Sequence, residues 1–103
     1  MATAMRIGEP LNLLGLARAA GEAAAVVPGT DLSVRRLAER RRETTSAASW
    51  VLVLEGRLIV DLPHGDFRIL ERGDALHLPA GLELDLQSVE GEALVLWRST
   101  AER

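Results

Sequence analysis

The chain has 103 residues, a formal net charge of −3 and no cysteine. A chain of this length makes one domain with a modest core, and without cysteine it holds no disulfide, thiolate nucleophile or cysteine–zinc site. The mild negative charge leaves no electrostatic footprint for nucleic acid, and no apolar run approaches the length of a membrane span.

The opening residues, MATAMRIGEP, lack the basic-then-apolar order of a signal peptide. We expect a frayed start over 1–10 and a cytoplasmic protein. Residues 10–27 are the only Ala/Leu-rich stretch, and Gly15 and Gly21 interrupt it. A short helix of about two turns is expected there. Pro28-Gly29-Thr30-Asp31 is a turn. LSVRRLA, 32–38, reads as a strand. ERRRETTSAAS, 39–49, is polar and aperiodic and reads as a loop.

From Trp50 the chain is nearly all strand. WVLVLEGRLIVDL breaks at Glu55-Gly56, and Pro63-His64-Gly65-Asp66 turns it into FRILER. Gly73-Asp74 leads to ALHL, Pro79-Ala80-Gly81 to LELDLQ, and Glu90-Gly91-Glu92 to ALVLW. Short strands punctuated by glycine turns predict an all-β sandwich or barrel. The single domain spans 1–103, with its core at about 30–98 and an N-terminal segment at 1–29.

LELDLQ alternates apolar and polar, as a strand with one wet face should. WVLVL and ALVLW are apolar on both faces. Their second face needs a cover, either the N-terminal Ala/Leu segment or a second subunit, and a homodimer is the expectation drawn from it.

GDALHLPAGLEL, 73–84, resembles the second motif of the cupin superfamily, G-x5-P-x-G-x2-H-x3-N, through Gly73, Pro79 and Gly81. VLVLEGRL resembles the end of the first cupin motif, whose closing glycine is Gly56. The resemblance implies a small antiparallel β-barrel of the jelly-roll type. It also implies where metal ligands would stand. The glutamate position is Ser49, and the second histidine position is Thr44 or Thr45, depending on the spacing. The first is Arg42 or Glu43, the histidine of the second motif is Leu84, and its asparagine is Ser88. The leading glycine is replaced by Arg36 or Leu37. Transition-metal sites need three or four converging donors, so we expect no metal and no cofactor. The leucine-lined interior suits an apolar or amphipathic small molecule.

The candidate ligand-binding residues are therefore Arg42, Thr44, Ser49, His77 and Leu84. His77 is the one weak catalytic candidate, a lone base that would need to face the barrel mouth. The alternative is a strand histidine facing outward. His64 lies in a turn and reads as solvated. Arg35, Arg36, Arg40, Arg41 and Arg42 form a basic cluster that reads first as a solvated loop balanced by Glu39 and Glu43, and second as an anion site built on Arg42. Trp50 and Trp97 read as packing residues. Thr44, Thr45, Ser46 and Ser49 carry hydroxyls with no visible base.

Three functions are thus expected from sequence. The first is a metal-free, non-catalytic cupin that binds a small molecule or serves as a homodimeric assembly module. The second is a metal-independent isomerase or lyase using His77 and Arg42. The third is a ligand-sensing domain working with a separate regulator.

Overall fold

A computed structural model describes residues 8–21 and 23–99. A single α-helix, α1 (Leu13–Ala20), precedes nine strands among these residues, and a 3-10 turn spans Pro63–Gly65. The strands are β1 (Ala25–Val26), β2 (Leu32–Leu37), β3 (Arg41–Thr44), β4 (Ser49–Glu55) and β5 (Leu58–Asp61), followed by β6 (Phe67–Leu70), β7 (Ala75–Leu78), β8 (Glu83–Ser88) and β9 (Ala93–Ser99). The predicted helix is present at its expected length, with the Asn12 side chain capping it by accepting from the Gly15 amide. Of the frayed start expected over 1–10, residues 1–7 lie outside the described residues.

The strands form two antiparallel sheets. The first has the order β1-β2-β9-β4-β7 and the second β3-β8-β5-β6. Their inner faces share one core, in which Val51, Val53, Leu78, Ala93, Val95 and Trp97 of the first sheet meet Leu58, Val60, Leu70, Leu84 and Leu86 of the second. This is the small all-β barrel expected from the turn spacing.

One expectation needs correction. Residues 39–49 are not all loop, because β3 lies within them and pairs with β8, Glu43 opposite Leu84 and Arg42 opposite Asp85. Its side chains are all polar, so neither face carries the apolar alternation that identifies a strand.

The two-sided apolar strands are covered by their own chain. Val34, Leu54, Leu94 and Leu96 point away from the barrel and pack with Leu13, Leu14, Leu16 and Ala17 of α1. Arg18, in the last turn of α1, donates to Glu55 and Glu92, and Arg36 donates to the other oxygen of Glu92. The two-sided pattern of β4 and β9 therefore needs no second subunit at these positions. Other apolar side chains stay open to solvent, chiefly Val26 and, each about half exposed, Trp50, Phe67 and Ile69.

Candidate functional site

Strand parity decides which side chains reach the barrel interior. In β3 the residues on the inward side are Arg41 and Glu43, whose neighbours across the ladder are the core residues Leu86 and Leu84. Two positions on, Thr45 is 4% exposed. The fold thus selects Glu43, Thr45, Ser49 and Leu84 for the four ligand positions of the motif, with Ser49 and Leu84 also buried.

Each of the first three is held by hydrogen bonds, and in Glu43 both donors meet the same oxygen, Oε2. The Thr45 hydroxyl donates to the Pro79 carbonyl at 2.6 Å and accepts from the Leu82 amide at 2.9 Å. The Thr45 backbone completes a clamp by accepting from Gly81 and donating to Leu82. The Ser49 hydroxyl donates to the Ala47 carbonyl at 2.8 Å and lies 3.5 Å from the Ser99 hydroxyl. The Glu43 carboxylate accepts from Arg35 at 3.0 Å and from Arg41. Burial alone would raise the Glu43 pKa, but the Arg41 hydrogen bond and the Arg35 charge outweigh it and hold it below the ordinary value. Leu84 has no donor atom. One carboxylate already gripped by two guanidinium groups, two hydroxyls bonded to backbone and a leucine do not fit a transition metal.

The interior carries instead a cation that the sequence presented as part of a solvated loop. Arg35 lies in β2 opposite Val95, a core residue, and is 9% exposed. Its guanidinium carbon lies 5.6 Å from the centre of the Trp97 ring, a cation–π contact. Its Nε has no hydrogen-bond partner. The correction to the basic cluster follows from parity. Leu32 and Val34 face α1, so Arg35 and Leu37 face the barrel. The available signal was the spacing of Arg35 from Leu37 on one face, masked because both faces of β2 are covered.

Arg42 and His77 lie elsewhere. Arg42 points to the outer face of the second sheet and donates to Asp85 at 3.1 Å, and Arg40 donates to the other Asp85 oxygen. The Arg40 hydrogen bond is the main cause of an Asp85 pKa held below its ordinary value, with burial opposing it. Thr44 is exposed beside Glu83 on that same face. A cleft of about 400 Å³ opens there, lined by Arg40, Arg42, Asp61, Asp66, Glu83 and Asp85 among others. His77 is exposed on the outer face of the first sheet, opposite Trp50 in the ladder, with ring centres 5.0 Å apart and planes inclined at 54°. The barrel interior thus brings together Ser49 and Leu84 of the expected set. Arg42, Thr44 and His77 stay outside it.

Neither a comparison of the sequence with family models nor one with curated proteins gives a match. Solved structures match well. A protein from Neisseria meningitidis superposes with a TM-score of 0.73 at 18% identity, over 89% of this chain and 100% of that one. A cupin-2 domain protein from Shewanella frigidimarina gives 0.65 at 13% identity, over 76% of this chain and 80% of that one. A cupin superfamily protein from Desulfitobacterium hafniense gives 0.66 at 16% identity, over 78% and 77%. The fold is that of the small cupins.

Proposed function

We propose that this chain is a metal-free cupin that binds a small molecule in its barrel and does not turn it over. The observation that carries this reading is the state of the four motif positions. Glu43 is held by two arginines, Thr45 and Ser49 are bonded to backbone carbonyls, and Leu84 is apolar. Only one carboxylate stands among these four positions, and Leu76, Leu78 and Leu82 pack as hydrocarbon in the same core. The isomerase or lyase reading lacks comparable support. His77 and Arg42 stand on the outer faces of different sheets, so a base and an anion holder do not share one site.

The experiment is a thermal-shift screen of small organic molecules on protein purified without an affinity tag. Any stabilising compound is then recovered and weighed by mass spectrometry. A compound that stabilises the protein and returns unchanged is the expected result, with elemental analysis showing far less than one transition metal per chain. Turnover, or stoichiometric iron, manganese, nickel or zinc, would remove the reading.

Self-association is the second part of the proposal. α1 covers much of the first sheet, so we assign the contact to the outer face of the second. There Ile59, Phe67 and Ile69 form adjoining outward pairs, Ile59 opposite Ile69 and Asp61 opposite Phe67. The exposed end of the first sheet is less suited, because His77 and Arg98 flank Trp50 on either side.

A further inference from the structure

We propose that the barrel interior beside β2 is a site for a small monocarboxylate, with its charged end on Arg35 and its apolar tail among the leucines. This rests on the binding reading above and names the ligand class. The first observation is the buried guanidinium itself. Arg35 is 9% exposed, and its Nε is buried without an acceptor. A buried N–H of a charged group with no partner is costly, and native interiors rarely keep one without a reason.

The second observation is how the neighbourhood is charged. Arg35 and Arg41 share one carboxylate, that of Glu43. Two positive charges against one negative leave a single positive charge, which one further carboxylate balances. A phosphate dianion would overfill it, and a neutral molecule would leave it unmatched. Glu43 also shows that the site already accepts a carboxylate in this orientation, since Arg35 Nη1 grips it at 3.0 Å. The Trp97 ring lies against the guanidinium, its centre 5.6 Å from the guanidinium carbon. Leu84 adjoins Glu43 in the ladder, and Leu76, Leu78 and Leu82 pack in the same core, so the rest of the molecule meets hydrocarbon. Access is beside Arg41, whose side chain is 43% exposed on the edge strand β3.

The test uses the full chain carrying Trp50→Phe, so that Trp97 is the sole tryptophan reporter. Hexanoate, hexanamide and hexyl phosphate are titrated by tryptophan emission and by thermal shift. The expected result is that hexanoate binds and the other two bind at least about tenfold more weakly. Arg35→Lys keeps the charge but loses the planar donor fork, and lowers hexanoate affinity by about tenfold or more. The double variant Arg35→Met with Glu43→Leu removes the whole pair, stays folded by circular dichroism and no longer binds hexanoate. Hexanamide binding as tightly as hexanoate, or undiminished hexanoate binding in Arg35→Lys, overturns the carboxylate assignment and leaves barrel binding standing. Failure of all three probes overturns the assignment too. The broader binding reading falls only if the screen of neutral and charged compounds is also empty.

Discussion

Arg35 of β2 and Glu43 of β3 belong to different sheets, yet their side chains meet inside the barrel at 3.0 Å. The pair is a tie between the two layers at a height where a small cupin with its full motif would present ligands. Removing one partner leaves the other charge buried. Glu43→Ala is therefore expected to cost about 2–3 kcal/mol in urea unfolding. Replacing both, as Arg35→Met with Glu43→Leu, should recover most of that loss, because a pair of apolar groups needs no compensation. A double variant less stable than Glu43→Ala would show that the pair contributes more than it costs.

Acid should destabilise the fold through four carboxylates, one of them Asp66, lowered chiefly by the Arg68 hydrogen bond. Glu43 is held below its ordinary value against the pull of burial by Arg41 and Arg35. Asp85 is lowered chiefly by the Arg40 hydrogen bond, and Glu92 by those of Arg36 and Arg18. A carboxyl with a depressed folded pKa binds fewer protons folded than unfolded, so stability rises with pH. The contribution is complete above the ordinary value, near 4.5 for Glu43, and is lost as pH falls through the lower folded value. The melting temperature should fall steeply below that point, and Glu43→Gln should flatten the lower part of the curve. A melting temperature indifferent to pH over this range would contradict the pairing.

Thr45→Val tests the clamp on the Pro79-Ala80-Gly81 turn. Valine keeps the shape but loses the bond to the Pro79 carbonyl and leaves the Leu82 amide without its hydroxyl acceptor. A loss of about 1–3 kcal/mol is expected, and hydrogen exchange at Leu82 should quicken. An unchanged exchange rate would mean that the Gly81 and Leu82 backbone bonds hold the turn unaided.

Gly56 has φ +86°, and a β-carbon there would lie 2.5 Å from the Glu92 carbonyl oxygen. Gly56→Ala must therefore bear both backbone strain and a clash with main chain. We expect a loss of about 2–4 kcal/mol, measured by denaturant unfolding. Because Glu92 also anchors Arg18 and Arg36, α1 should loosen with it.

Phe67→Glu should convert a homodimer to a monomer in sedimentation at micromolar concentration, since Phe67 is about half exposed on the edge strand β6, on the same outer face as Ile59 and Ile69. Trp50→Glu should leave the association state unchanged. The reverse outcome would move the contact to the first sheet.

Much of the barrel was legible because the turns are written plainly in glycine and proline, and because β4 to β9 carry hydrophobic runs of strand length. Which way each side chain points was less so. β2 and β9 are buried on both faces, and an apolar residue then no longer marks the barrel side, which hid Arg35. β3 has only polar side chains and was missed as a strand. His77 shows the complementary case. Its neighbours Leu76 and Leu78 are the inward pair, opposite Val51 and Ser49, which fixes the histidine on the outer face. The sequence left that parity open because either pair could have been the covered one.

The position of β9 has a consequence for biosynthesis. The ninth strand in chain order lies between β2 and β4, and it pairs along nearly its whole length with both. While the polypeptide is still being made, β2 and β4 lack the neighbour that joins them. α1 is already made by then, but Leu94 and Leu96 of β9, which pack under it beside Val34 and Leu54, are not. The first sheet closes only after Ala93–Ser99 emerges from the ribosome, so the facing edges of β2 and β4 stay unpaired until translation has passed β9.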